Sequence, residues 1–324
     1  MARFAKSVRL WIIALAALAS VETARAQIDD RPVRLPSAPA DLEGSLMRPA
    51  GPTRSVAVLL IAGSGPTDRN GDAPSAESRS GILRLLAEGL ARDGVISLRF
   101  DKRGVAASAA AGVLEDRLTI EVFADDAGAW ARRLAGEPGV RCVVILGHSE
   151  GALIGALAAA QAPVCGYISV AGVGRPADVI LAEQIARGVD PDTLVRVKAV
   201  LAELKAGHTV ADPPLPGLFR QSVLPYLISW IRHDPTRVIK AIKAPVLILQ
   251  GTTDLQVGLI DAQRLAAARP DARLVVLKGV NHVLKSAPAD NAANIATYAD
   301  PALPLAPGVL ETIVGFVNGL EPRH

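Results

Sequence analysis

The pentapeptide Gly147-His148-Ser149-Glu150-Gly151 constrains this chain more than any other stretch. It fits G-x-S-x-G, and its flanks matter as much as its letters. Before it runs Cys142-Val143-Val144-Ile145-Leu146, a short apolar, β-branched segment that reads as a buried strand. After it, residues 152–160 are rich in helix formers. A strand that reverses into a helix within a few residues strains the backbone of its turn residue. Glycines at 147 and 151 remove side chains that would collide there. Ser149 is then held out at the carboxyl edge of a sheet, over a helix N-terminus, which is the geometry of a nucleophile elbow.

The remaining chain supplies a sheet for that turn. Ser55 to Ala62, Val95 to Phe100, Tyr167 to Ala171, Pro245 to Leu249 and Ala272 to Leu277 read as strands. Helical periodicity lies between them: Ile82 to Leu90, ended by Gly94, then residues 119–135 and 259–268, with Val309 to Leu320 closing the chain. Alternating strands and helices, with continuously apolar strands, imply a parallel sheet covered on both faces. Residues 27–54 suggest edge strands. From about 174 to 243 no strand is expected. Asp190-Pro191 and Asp234-Pro235 each place a capping acid before a proline, a helix-start signature, so this segment reads as a helical insertion, most simply a lid. Its run Tyr226-Leu227-Ile228-Ser229-Trp230-Ile231 either faces an acyl pocket or forms the insertion's own core. Residues 285–307 lack a clear period and read as a loop near the site.

The N-terminus reads as an export signal. Arg3, Lys6 and Arg9 precede the apolar run Leu10 to Ala19, too short to span a bilayer comfortably, and Ala24-Arg25-Ala26 fits a small-x-small cleavage site. An uncleaved anchor is the competing reading. The expectation is a periplasmic or secreted protein beginning at Gln27 and carrying no stable membrane anchor. Residues 1–26 would be the signal, 27–173 and 244–324 the core, and 174–243 the lid. Arg3, Lys6, Arg9 and Arg25 against Glu22 account for the whole formal excess of +3, so the mature chain is neutral by formal count. With no basic patch interleaved with aromatics, nucleic acid is not an expected partner. Cys142 and Cys165 each open an expected strand. Either they bridge or they remain two buried thiols, and spacing alone does not choose. No metal ligation is expected of them.

A serine hydroxyl needs a base to take its proton, and the base needs a partner to orient it. The elbow type runs Ser, acid, His along the chain. Here Ser149 is followed by Asp254, just past the strand ending at Gln250, and His282, just past the strand ending at Leu277. All three fall at the carboxyl edge of one parallel sheet. The competitors are weaker. His148 is inside the elbow, with its side chain expected to point away from the nucleophile. His208 and His233 lie in the insertion, and His324 is terminal. Asp178 is the alternative acid, and Asp261 reads as a helix-surface carboxylate. An oxyanion would be met by the backbone N–H of Glu150 and, from the loop after strand 55–62, that of Ser64. The Glu150 side chain needs no chemical role, because a carboxylate is favoured at a helix N-terminus.

With these residues placed, the chain resembles the α/β-hydrolase superfamily, most closely bacterial serine-aminopeptidase-like and monoglyceride-lipase-like members. The resemblance runs from about Leu42 to Leu320. It rests on Ala62-Gly63-Ser64-Gly65, Asp101-Lys102-Arg103-Gly104, GHSEG, Gly251-Thr252-Thr253-Asp254 and Asn281-His282. It implies an α/β-hydrolase fold: an eight-stranded, mostly parallel sheet with helices on both faces and a lid between strands six and seven. It also implies hydrolysis of a small ester, thioester or amide without metal or organic cofactor. Ala62 departs from the family pattern, where many relatives carry His. The longer segment Gly65 to Gly71 is expected to shape the pocket rim. Carboxylester hydrolysis is the first expectation and aminopeptidase action the second. The latter would need an acidic residue to bind a free amino terminus, with Glu183 and Glu203 as candidates. A non-catalytic binding protein on the same fold is the contrasting class, and the presence of all three triad members speaks against it.

Overall fold

A computed structural model describes residues 28–75, 79–112 and 114–320. The signal-peptide reading of residues 1–26 lies outside them. The architecture follows from strands that are apolar on both sides. In β3 (Val56–Ile61) every residue is buried. Val56, Val58 and Leu60 enter one hydrophobic cluster, and Ala57, Leu59 and Ile61 enter the other. This is the two-residue alternation of a strand with a core on each face. β4 (Ile96–Phe100), β5 (Cys142–His148), β6 (Gly166–Val170) and β7 (Val246–Gly251) are buried almost throughout. β1 (Asp29–Leu35) and β8 (Arg273–Leu277) are the two edges, and both are partly exposed.

With β2 (Leu42–Arg48) these strands form one eight-stranded sheet in the order β1-β2-β4-β3-β5-β6-β7-β8. β2 runs antiparallel to both its neighbours, and every other pairing is parallel. α1 (Ile82–Arg92) and α10 (Val309–Gly319) pack together on one face. α2 (Ile120–Ala135), α3 (Glu150–Gln161) and α8 (Leu259–Ala268) cover the other. Strand order reverses at β3, since β4 lies to one side of it and β5 to the other. The loops after β3 and β5 therefore flank the crevice where open α/β sheets place their ligands.

Four helices intervene between β6 and β7: α4 (Ala177–Ile185), α5 (Pro191–Lys205), α6 (Leu224–Ile231) and α7 (Pro235–Ala241). The two Asp-Pro signatures cap α5 and α7: Asp190 accepts from the Thr193 N–H at 2.9 Å and Asp234 from the Thr236 N–H at 2.9 Å. Most of α6 is buried, and Phe123 of α2 meets Tyr226 edge-on. Its apolar run is thus the core between the insertion and the sheet-covering helices.

Two expectations need correction. The 285–307 segment is not plain loop, since it holds α9 (Asn291–Ala296) and a 3₁₀ turn at Thr297–Ala299. Asp261 is not a surface carboxylate: it is fully buried and takes hydrogen bonds from the Gly174 N–H and the Arg175 guanidinium. Cys142 and Cys165, at the starts of β5 and β6, are joined by a disulfide with Cα atoms 5.8 Å apart. No helix among the described residues is long and apolar enough to cross a membrane.

Candidate active site

The elbow forms as its glycines dictate. Ser149 sits at φ 57°, ψ −122°, a conformation that L-residues rarely adopt, immediately before α3. A Cβ on Gly147 would lie 2.0 Å from the Gly151 carbonyl oxygen, and one on Gly151 would lie 2.4 Å from that of Ala62. The turn can be this tight only with hydrogen at both places. The Ser149 N–H bonds the Val170 carbonyl of β6 at 3.0 Å, which locks the turn to the next strand.

Asp254 and His282 come from the ends of β7 and β8. Their loops are tied by backbone bonds from Thr252 N–H to Leu277 and from Thr253 N–H to Val280. Asn281 bonds Asn294 and Thr297 through its amide, and Asn294 bonds the Thr253 carbonyl. The short α9 thus staples the histidine loop to the aspartate loop. The Asp254 carboxylate accepts from His282 Nδ1 at 2.8 Å, Gln250 Nε2 at 3.1 Å, the Gln256 N–H at 2.8 Å and the Val257 N–H at 2.9 Å. Burial alone would raise its pKa, but the imidazole and the two N–H groups hold it below the ordinary carboxylate range. An ionised carboxylate only accepts, so Nδ1 carries a hydrogen, and Nε2 is the nitrogen that holds the lone pair in the neutral ring.

A cavity of about 200 Å³ brings Ser149, His282 and Ser64 together. In this arrangement the Ser149 hydroxyl and His282 face the cavity without a hydrogen bond between them among the described residues. Contacts of this kind commonly tighten when substrate binds. Gly63 lies against Ser149, since a Cβ there would be 3.3 Å from the serine Cβ. Glu150 opens α3, so its N–H has no intrahelical acceptor and adjoins the serine. The long loop after β3 lines the cavity through Thr67, Gly71 and Ala73, forming the rim expected of it. Tyr298 also lines it, and burial pushes its phenol up to about 12, so it stays a donor. No residue of the 174–243 insertion contributes to this lining.

Several side chains stand elsewhere than the sequence suggested. His148 does not turn away from the site. Its ring lines the cavity, lies 4.7 Å from the His282 ring between centroids, and its Nε2 is 2.8 Å from the His282 carbonyl oxygen. Because a carbonyl only accepts, Nε2 carries the hydrogen. Burial, then the neighbouring His282, push the pKa of His148 down to about 3, so its ring is neutral. Asp178 is held by Lys205 at 2.8 Å and does not line the cavity. Glu183 pairs with Arg175 and Glu203 with His208, and neither lines the cavity. The Glu150 side chain is buried against Lys102, with Nζ–Oε2 3.2 Å, and accepts the Tyr226 hydroxyl. Sequence reasoning gave it no role, and the one available signal was the Lys in Asp101-Lys102-Arg103. Among the described residues, no group of three or more His, Cys, Asp or Glu is placed to hold a metal ion.

A profile of the alpha/beta hydrolase family matches residues 58–297. With the elbow and the strand order above, the chain belongs to that family. A curated relative, esterase EstD of Thermotoga maritima, is 25% identical over 257 residues, or 76% of this chain. The chain spans 58% of that protein's length. Two solved structures share the fold. Est1E of Butyrivibrio proteoclasticus, with ferulic acid bound, is 17% identical, with a TM-score of 0.55 over 89% of this chain and 96% of that one. A puromycin-hydrolysing peptidase of Mycobacterium tuberculosis is 19% identical, with a TM-score of 0.57 over 95% of this chain and 41% of that one.

Proposed function

We propose that this protein is a serine hydrolase that cleaves small carboxylic esters through an acyl-enzyme. His282 Nε2 takes the proton from the Ser149 hydroxyl as its oxygen attacks the ester carbonyl. The tetrahedral oxyanion is met by the N–H groups of Ser64 and Glu150, each donor being worth about 2.7–4 kcal/mol of barrier. His282 then gives its proton to the leaving alcohol, and the acyl group stays on Ser149. Water, deprotonated by the same imidazole, releases the acid and restores the serine. Asp254 holds the Nδ1–H tautomer and stabilises the transient imidazolium. The scheme calls on no metal or organic cofactor. The observation that carries this reading is a strained serine sharing one cavity with an imidazole whose far nitrogen bonds a buried carboxylate.

Esters are preferred over peptides because the two acidic residues expected to bind an amino terminus, Glu183 and Glu203, pair with Arg175 and His208 and do not line the cavity. An amidase or aminopeptidase would use the same three side chains, and the first experiment separates the two. A panel of p-nitrophenyl esters and aminoacyl anilides is assayed with wild type and Ser149→Ala. Ester turnover that disappears in the variant is expected. Full activity in Ser149→Ala, or turnover of anilides alone, overturns the proposal. The 174–243 helices are read as a lid that covers the insertion side of the sheet. Export through the N-terminal signal fits a chain whose two cysteines are bridged.

A further inference from the structure

Of the buried charged groups that the mechanism above leaves unused, Lys102 bears most directly on the site. Lys102 follows β4 in a turn of charged residues, yet it is only 2% exposed. Its ammonium makes three contacts: the Gly63 carbonyl oxygen at 2.6 Å, Glu150 Oε2 at 3.2 Å, and the face of Phe123, 5.5 Å from the ring centroid. The first two belong to the two peptide segments that supply the oxyanion donors.

The Gly63 carbonyl and the Ser64 N–H are opposite ends of one peptide unit, which is trans. A trans peptide is planar, so its C=O and N–H point in opposite directions. The carbonyl bonds a buried ammonium, so the N–H points away from that ammonium, and Ser64 lines the cavity that it shares with Ser149. The Thr67 hydroxyl bonds the Ser64 carbonyl at 2.8 Å and steadies the next peptide. A cation on the carbonyl also draws electron density from the N–H, and hydrogen bonds in a chain strengthen one another in a low-dielectric interior. The second donor, the Glu150 N–H, belongs to the residue whose carboxylate pairs with that ammonium.

We propose that Lys102 is a positioning residue for oxyanion stabilisation: by anchoring the Gly63 carbonyl it aims and polarises the Ser64 N–H, while Glu150 balances its charge. The inference rests on the serine-hydrolase reading and deepens it. Because the anchored donor matters only when negative charge develops on the substrate oxygen, its loss falls on kcat and not on KM.

The test uses Lys102→Met and the double variant Lys102→Met/Glu150→Gln, with p-nitrophenyl acetate as substrate and phenylboronic acid as a tetrahedral analogue. Lys102→Met leaves a buried carboxylate without its partner and is expected to lose thermal stability. The double variant leaves no unpaired charge and regains stability. In both, kcat is expected to fall about 10- to 100-fold with KM little changed, and the boronate inhibition constant to rise in step. A merely structural pair predicts otherwise: the double variant would recover kcat together with stability, and that result overturns the inference. If the wild type neither hydrolyses the ester nor takes a fluorophosphonate on Ser149, the serine-hydrolase reading fails and the inference with it. If the wild type is active and the double variant equals it, only the role of Lys102 fails.

Discussion

The last residue of β5 and the turn after β8 each set a histidine on the same cavity, and the two rings are near neighbours with different partners. His282 hands Nδ1 to a buried carboxylate and leaves Nε2 open, whereas His148 spends its Nε2 hydrogen on a backbone carbonyl and meets no carboxylate. What suits His282 to the proposed role of base is the acceptor-only partner behind it, which fixes the tautomer and would offset the charge gained. His148 is instead kept neutral by burial and by the neighbouring His282, which outweigh the more weakly acting Asp254.

Three substitutions sharpen that contrast. His282→Ala removes the proposed base and is expected to lower kcat toward p-nitrophenyl esters by roughly 10⁴-fold or more. A loss below about tenfold would mean another group takes the proton. Asp254→Asn keeps the shape but presents an N–H to Nδ1, which favours the tautomer with Nε2 protonated. A loss of about 10³- to 10⁴-fold in kcat is expected, and near-normal turnover would show that tautomer control is unimportant here.

His148→Phe has the smallest effect on chemistry. It keeps a ring but leaves the His282 carbonyl unpaired, with an expected stability loss of about 1–3 kcal/mol in denaturant titration at pH 7. The pH dependence discriminates further. The unfolded chain protonates His148 near its ordinary pKa of 6.5, while the folded chain resists until about 3. Between those values the unfolded state holds more protons, so wild-type stability falls as pH is lowered, by up to about 1.4 kcal/mol per pH unit for this one group. The phenylalanine variant should lack that contribution. An identical slope would show that His148 is protonated in the folded protein.

Much of this was legible in the sequence because the signals were local. β3 and β5 announce themselves as apolar runs, the elbow by glycines that a tight turn demands, and α5 and α7 by capping acids before prolines. The Ser–Asp–His order follows from which residues trail each strand. What escaped depends on partners distant along the chain. Asp101, Lys102 and Arg103 show in sequence only as a motif, with no partners indicated, yet all three are buried against Arg69, Glu150 and Asp126. α9 has six residues and no strong period, and its Asn294 is held by neighbours from two other loops. The direction of His148 depended on where the turn after β8 came to rest.

The backbone at Ser149 carries a consequence for directed evolution. A conformation at φ 57°, ψ −122° suits glycine better than serine. Heat-resistance screening alone therefore favours sequences that relax this one residue and silence the enzyme, so variants of this chain have to be selected for turnover and robustness at the same time.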